Sequence, residues 1–206
     1  MSSFPPIADY AFLSDCTTGA LVAPNGNVEW MCLPRFDSPS VFGAIVDRGA
    51  GLFRLAPDGL DVPAARRYLP GTMVLETSWG TRGGWVIVRD ALLIGPWHRE
   101  QERSKTYRRT PTDYDAEHVF VRLVRCVNGE VQLNLDCEPV FEYGALRGHW
   151  EYSGDGYHQG VCRDEGSSIE LTLTTDRRLG FEGPRALSRT LIKDCLLYTS
   201  PSPRDS

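Results

Sequence analysis

What these 206 residues lack narrows their reading before any motif is found. No span shows sustained helical periodicity, with apolar residues recurring every three to four positions, so helices are not expected to build the core. No apolar run approaches the roughly 20 residues that cross a bilayer as a helix. Residues 1–20 also lack the basic start and continuous apolar stretch of a secretory signal, which makes the cytoplasm the expected compartment. Excess positive charge is missing too: 22 Lys and Arg stand against 27 Asp and Glu, a net charge of -5. A general affinity for nucleic acid or anionic membrane is therefore not expected. The six cysteines, at positions 16, 32, 126, 137, 162 and 195, form no CxxC pair and have no histidine at a ligand spacing. Zinc is not expected from that pattern, whereas reduced, buried thiols are, above all at Cys32, Cys126 and Cys137 on apolar strand phases. There is no Gly-rich phosphate loop and no G-x-S-x-G elbow, and His98, His118, His149 and His158 sit in no nucleophile or metal motif. Neither a metal nor a cofactor is expected.

What is present is ordinary globular composition, 41% hydrophobic and 24% charged, enough for one substantial core or two small ones. Residues 7–47 organise the rest. The run from Gly19 to Ala23 enters Pro24-Asn25-Gly26, and Asn-Gly readily takes the positive φ values of a tight hairpin turn. Along the next run Val28, Trp30 and Cys32 alternate with Asn27, Glu29 and Met31, which predicts a half-buried strand with Trp30 on the dry face. Two prolines then stiffen residues 34–39, Pro-Arg-Phe-Asp-Ser-Pro, and present Arg35 and Asp37 in a nearly fixed direction. Ser38 or Asp37 followed by Pro39 predicts a short N-capped helical turn ending near Gly49.

Further along, residues 52–55 predict a strand closing at Pro57-Asp58-Gly59, and residues 68–79 and 85–94 predict long antiparallel strands joined near Gly80–Gly84. A polar insert over residues 98–114 carries Arg99, Arg103, Lys105, Arg108 and Arg109 interleaved with Glu100 and Glu102, the composition of a solvated loop. Residues 119–123 and 131–137 predict a hairpin turning at Asn128-Gly129. Residues 150–152, 157–162 and 169–174 add strands, with Gly154-Asp155-Gly156 as a turn. Many short strands between turn signals predict an all-β, antiparallel β-sandwich.

The carboxylates offer no catalytic pair. Glu138 and Glu142 flank Pro139 but have no second motif opposite them, and Asp58 and Asp155 sit in turn chemistry where a short carboxylate bonds its own backbone. Asp90 and Asp136 fall on polar strand phases. For Arg35 and Asp37 two roles compete: a mutual ion pair with Asp37 capping the following turn, or a stiff loop that meets a partner surface or a sugar. Asp9, Tyr10 and Trp30 divide the same way between packing and contact.

Taken together, IADYAFLSD, GALVAPNGNVEWMCLPRFDSPSVFGAIVD and ARRYLPGTMVLET resemble, in order, the N-terminal domain of bacterial glycoside hydrolase family 15 proteins, the trehalase and glucoamylase group. The similarity runs over residues 7–193. The resemblance implies a super-sandwich-like β-domain preceding an (α/α) barrel in the same polypeptide, with hydrolysis of α-glucosidic bonds by inversion. It places both catalytic glutamates in the barrel, with carboxyls roughly 6.5 to 9.5 Å apart so that water fits between base and sugar. On that reading none of the residues present is catalytic, and Arg35, Asp37, Asp9, Tyr10 and Trp30 are candidates for substrate contact or for docking on the barrel. Residues 195–206, CLLYTSPSPRDS, resemble the translated read-through of a sequencing-library adapter, which limits the native domain to 1–194; a genuine Ser/Pro-rich tail is the alternative. A stand-alone carbohydrate-binding module is a second functional class, permitted by five tryptophans and eight tyrosines.

Overall fold

The computed structural model describes residues 4–94, 118–164, 166 and 169–193, and the backbone of 196–205. The basic insert expected over residues 98–114 and the thiol of Cys195 lie outside them. Among the described residues there is no α-helix, only single 3-10 turns at Ile7–Asp9 and Glu142–Gly144, and no helix long and apolar enough to cross a membrane.

In chain order the strands are β1 (Ala11–Ser14), β2 (Gly19–Val22), β3 (Asn27–Cys32), β4 (Ser40–Phe42), β5 (Leu52–Pro57), β6 (Ala65–Tyr68), β7 (Leu75–Gly80), β8 (Gly84–Leu92) and β9 (Phe120–Glu138). The remainder are β10 (Val140–Phe141), β11 (Leu146–Arg147), β12 (His149–Tyr152), β13 (Gln159–Arg163), β14 (Ile169–Thr175), β15 (Gly180–Glu182), β16 (Arg185–Lys193) and β17 (Leu196–Asp205). All ladders are antiparallel. One sheet runs β1-β2-β3-β5-β9-β16-β15, with β4 on β3. The other runs β6-β7-β8-β9-β17-β14-β13-β12. The two layers of this β-sandwich share β9, whose first half pairs with β8 and β17 and whose second half pairs with β5 and β16. Pro201 and Pro203 lie in the part of β17 that pairs with β14 alone, beyond the stretch paired to β9, where a missing N–H is tolerated.

The core lies between the layers and is built from Leu13, Val28, Phe42, Phe53, Trp79, Phe120, Val124 and Leu173, all essentially inaccessible. Through its middle passes a charge. Arg122 of β9 is fully buried, donates to both carboxylate oxygens of Asp90 on β8, and also donates to Phe53 O at 2.9 Å and Gly26 O at 2.7 Å. Its guanidinium lies over the Phe53 ring, 5.0 Å from the centroid. The three residues that the guanidinium meets, Asp90, Phe53 and Gly26, lie on β8, on β5 and in the β2–β3 turn, so one side chain ties these to β9. Asp90 therefore faces the core and not the polar phase expected of it.

The Asn25-Gly26 hairpin forms as expected, with Gly26 at φ +78 and Ala23 N–H donating to Asn27 O. Asn128-Gly129 does not. Gly129 takes φ +68, but the chain runs straight on as β9, and the dipeptide pairs with Trp85 and Gly84 just past a one-residue bulge at Val127, at the crossing between layers. Its backbone there nearly touches that of Gly83 and Gly84: a Cβ on Gly129 would stand 2.1 Å from Gly83 O. Close approach of two backbones, not chain reversal, is what this glycine permits.

Two further expectations change. The predicted strand over residues 68–79 is split into β6 and β7 by a turn at Pro70-Gly71, where Leu69 N–H donates to Val74 O. The predicted N-capped turn after Ser38 is instead strand β4, and Ser38 Oγ accepts from Arg35 N–H, upstream of it. At the outer edge of the first sheet, the Tyr68 hydroxyl both accepts from Phe12 N–H (2.8 Å) and donates to Phe12 O (2.9 Å), so a side chain fills a neighbour's place along β1.

Candidate functional site

The stiff stretch expected at residues 34–39 is an exposed loop between β3 and β4, anchored by Phe36 N–H donating to Thr17 O (3.1 Å) and Ser38 N–H donating to Arg35 O (3.1 Å). Leu33-Pro34 is cis. Arg35 Nε and Asp37 Oδ1 pair at 3.1 Å with both side chains about 70% in solvent, so the pair is worth little to stability, on the order of 0–1 kcal/mol. Phe36, between them, is 53% exposed and stacks on Phe12, itself 43% exposed.

A distant segment joins this loop. After β10 the chain turns through Glu142, Tyr143 and Gly144 with φ of 51, 58 and 102. Left-handed backbone costs an L-residue on the order of 1–2 kcal/mol, and here two non-glycine residues adopt it in succession. The turn is held by Tyr143 N–H donating to the buried Ser40 Oγ (3.0 Å) and by Gly144 packing on Ala50. Its result is to place the Tyr143 hydroxyl 3.5 Å from Ser38 O and the Tyr143 ring 5.7 Å from Trp30. Trp30 is the most open residue of β3, while Glu29 is buried, the reverse of the phase expected from alternation. Cys32 shares the face of Trp30: burial pushes its thiol up, and a hydrogen bond to Tyr143 partly offsets this. Arg35, Asp37 and Trp30 thus fall on one surface, gathered by a tyrosine that no local sequence signal marked. Only Gly144 hinted at a turn there.

Asp9 and Tyr10 belong elsewhere. Tyr10 donates to Glu29 Oε2 at 2.5 Å, and Arg48 Nη1 reaches the same oxygen at 2.6 Å, on the opposite face of β3 from Trp30. Burial first, and the Glu29 carboxylate second, push the Tyr10 phenol up to about 12. Asp9 gives its backbone carbonyl to Arg66 (2.6 Å) in an exposed turn. The groove beside Glu29 is charged but balanced, since Arg48 pairs with Glu29, Arg54 with Asp61 (3.0 Å) and Arg185 with Asp136 (2.7 Å). Burial raises the Asp136 carboxyl despite its arginine.

The remaining carboxylates are tied into the fold. Glu138 accepts from Arg147 (2.8 Å) and lies 3.4 Å from Arg185, so it carries no free acid function. Asp58 accepts from Asn134 and Arg189 on neighbouring strands, not from its own turn. Among the described residues, no three His, Cys, Asp or Glu side chains gather as a metal site requires.

The antiparallel sandwich thus carries an exposed aromatic and charged edge, and Glu29, Glu76, Asp90, Asp136 and Glu138 are each paired with an arginine. The chain matches, over residues 2–90, the family model of the trehalase-like N-terminal domain. It is 57% identical over 194 residues to a trehalase of Mycolicibacterium smegmatis, an alignment covering 93% of this chain and 29% of that protein. A trehalase of Mycobacterium tuberculosis is 56% identical over 194 residues, with 28% of it covered. A more distant trehalase, from Thermoplasma volcanium, is 30% identical over 146 residues. The chain spans less than a third of the length of these relatives.

Proposed function

We propose that this chain is the accessory N-terminal β-sandwich of a cytoplasmic, inverting α-glucosidic hydrolase of glycoside hydrolase family 15, of trehalase or glucoamylase type. By itself it turns over no sugar. The observation that carries this reading is 57% identity to a trehalase of which the chain spans 29%. The arginine partners of Glu138 and the isolation of Glu142 on an exposed turn agree with it. Residues 195–206 are read as adapter translation on the resemblance of CLLYTSPSPRDS to such a sequence; the genomic sequence beyond Lys193 decides that point. The purified 206-residue chain incubated with trehalose, maltose or starch releases no glucose on this reading, and measurable release overturns it.

The loop carrying Arg35 and Asp37 has a role in this scheme as the edge that meets the catalytic part. A ring pair of half-buried Trp30 and exposed Tyr143 favours one alternative, a carbohydrate-binding module. Calorimetry with trehalose and glucans separates the two: heat at millimolar sugar supports the module, and its absence removes it.

A further inference from the structure

The turn at Glu142–Gly144 is built against the preference of its own sequence. Glycine or asparagine would take left-handed backbone without strain, yet glutamate and tyrosine occupy the first two positions. Strain of this kind persists where surrounding structure over-determines it, and it concentrates at functional surfaces. Here the outcome is specific. The Tyr143 ring is held half-exposed against Trp30, its hydroxyl at the residue 34–39 loop, with Arg35, Asp37 and Phe36 beyond it. Tryptophan, tyrosine and arginine are the residue types that dominate binding energy at protein interfaces.

We infer that the Glu142–Tyr143–Gly144 turn and the residue 34–39 loop form one preset docking surface for the catalytic part of the trehalase polypeptide, with Tyr143 as its anchor. This rests on the function proposed above, and the occupant follows from length: more than two thirds of each mycobacterial relative lies outside the region this chain matches. A tyrosine locked by its backbone loses little freedom on contact, so the strain is an advance payment on the ordering cost of the interface.

The test places residues 1–194 in the Mycolicibacterium smegmatis trehalase in place of the region they match, and compares this chimera with the 206-residue chain. Hydrogen exchange of the amides of residues 35–38 and 142–145 is expected to slow at least about tenfold in the chimera. Tyr143→Gly relieves strain, so it raises the melting temperature of the 206-residue chain by a few degrees, while it reverses the exchange protection in the chimera. Glu142→Gly relieves the same strain but keeps the ring, so protection persists. Equal exchange in the two proteins, or protection that survives Tyr143→Gly, overturns the docking surface while leaving an active chimera, and with it the proposed function, intact. An unsubstituted chimera without trehalase activity overturns both.

Discussion

Arg122 grips Asp90 at two points inside the sandwich, Nε to Oδ1 at 2.9 Å and Nη2 to Oδ2 at 3.2 Å, with neither side chain more than 2% exposed. Two charges removed from water gain little net stability as a pair, but either one left alone is costly. Asp90→Asn is expected to lower unfolding free energy by about 3 kcal/mol and Arg122→Leu by about 3–5 kcal/mol, measured by urea denaturation. The double substitution costs clearly less than the sum, because it leaves no buried charge uncompensated. An additive double variant would show that the pair does not act as one unit.

Gly129 and Gly59 share the same φ of +68 but not the same surroundings. An added Cβ meets Gly83 O at 2.1 Å in the first case and nothing within 4 Å in the second. Gly59→Ala therefore costs only conformational strain, about 1 kcal/mol, whereas Gly129→Ala must also push β8 from β9 and costs at least about 3 kcal/mol. Equal losses in thermal melts would exclude a steric role for the crossing.

Tyr10 titrates abnormally high because burial and Glu29 disfavour its anion. A group whose folded pKa lies above its unfolded value contributes stability that is whole below the unfolded pKa, here 10.0, and is lost as pH rises through about 12. The wild-type chain should lose stability across that window relative to Tyr10→Phe, which has no proton to release there. Parallel stability curves from pH 9 to pH 12 in the two proteins would contradict the Tyr10–Glu29 contact, while Tyr10→Phe at neutral pH reports the hydrogen bond itself.

Thiol chemistry divides the cysteines. Cys16 is exposed, whereas burial pushes the Cys137 thiol well up and the Cys162 thiol to about 12. Among these three, Cys16 is expected to react with iodoacetamide in the native state, and Cys137 and Cys162 only on unfolding, as peptide mass mapping would record. Native labelling of Cys162 would place it at the surface.

Much of the architecture was legible because strand phase and turn chemistry are local. Asn25-Gly26, the turn at Gly154–Gly156, and the strands at residues 150–152 and 169–174 all appear where residue pattern puts them. Asn128-Gly129 shows the limit. The dipeptide encodes a positive φ at glycine in both places, but only tertiary pairing decides whether the chain reverses or steps from one sheet to another. Glu29 was misplaced for a related reason: alternation assigns a carboxylate to solvent, and only the distant Tyr10 and Arg48 make its burial tolerable. Of the candidate site, the Arg35–Asp37 loop was legible from its prolines. Tyr143 was not, since the 103 residues separating it from Ser40 in sequence leave no periodic trace.

Because β9 serves both layers, neither sheet can complete its ladders before distant parts of the chain arrive. Leu52 lies opposite Glu138, Trp85 opposite Asn128 and Lys193 opposite Glu130. Such non-local closure slows folding, since loop entropy is spent before the contacts return it. It also means that the layers have no separate melting points: loosening residues 120–138 dissolves both sheets in one transition, and a single cut within that strand would unravel the whole domain.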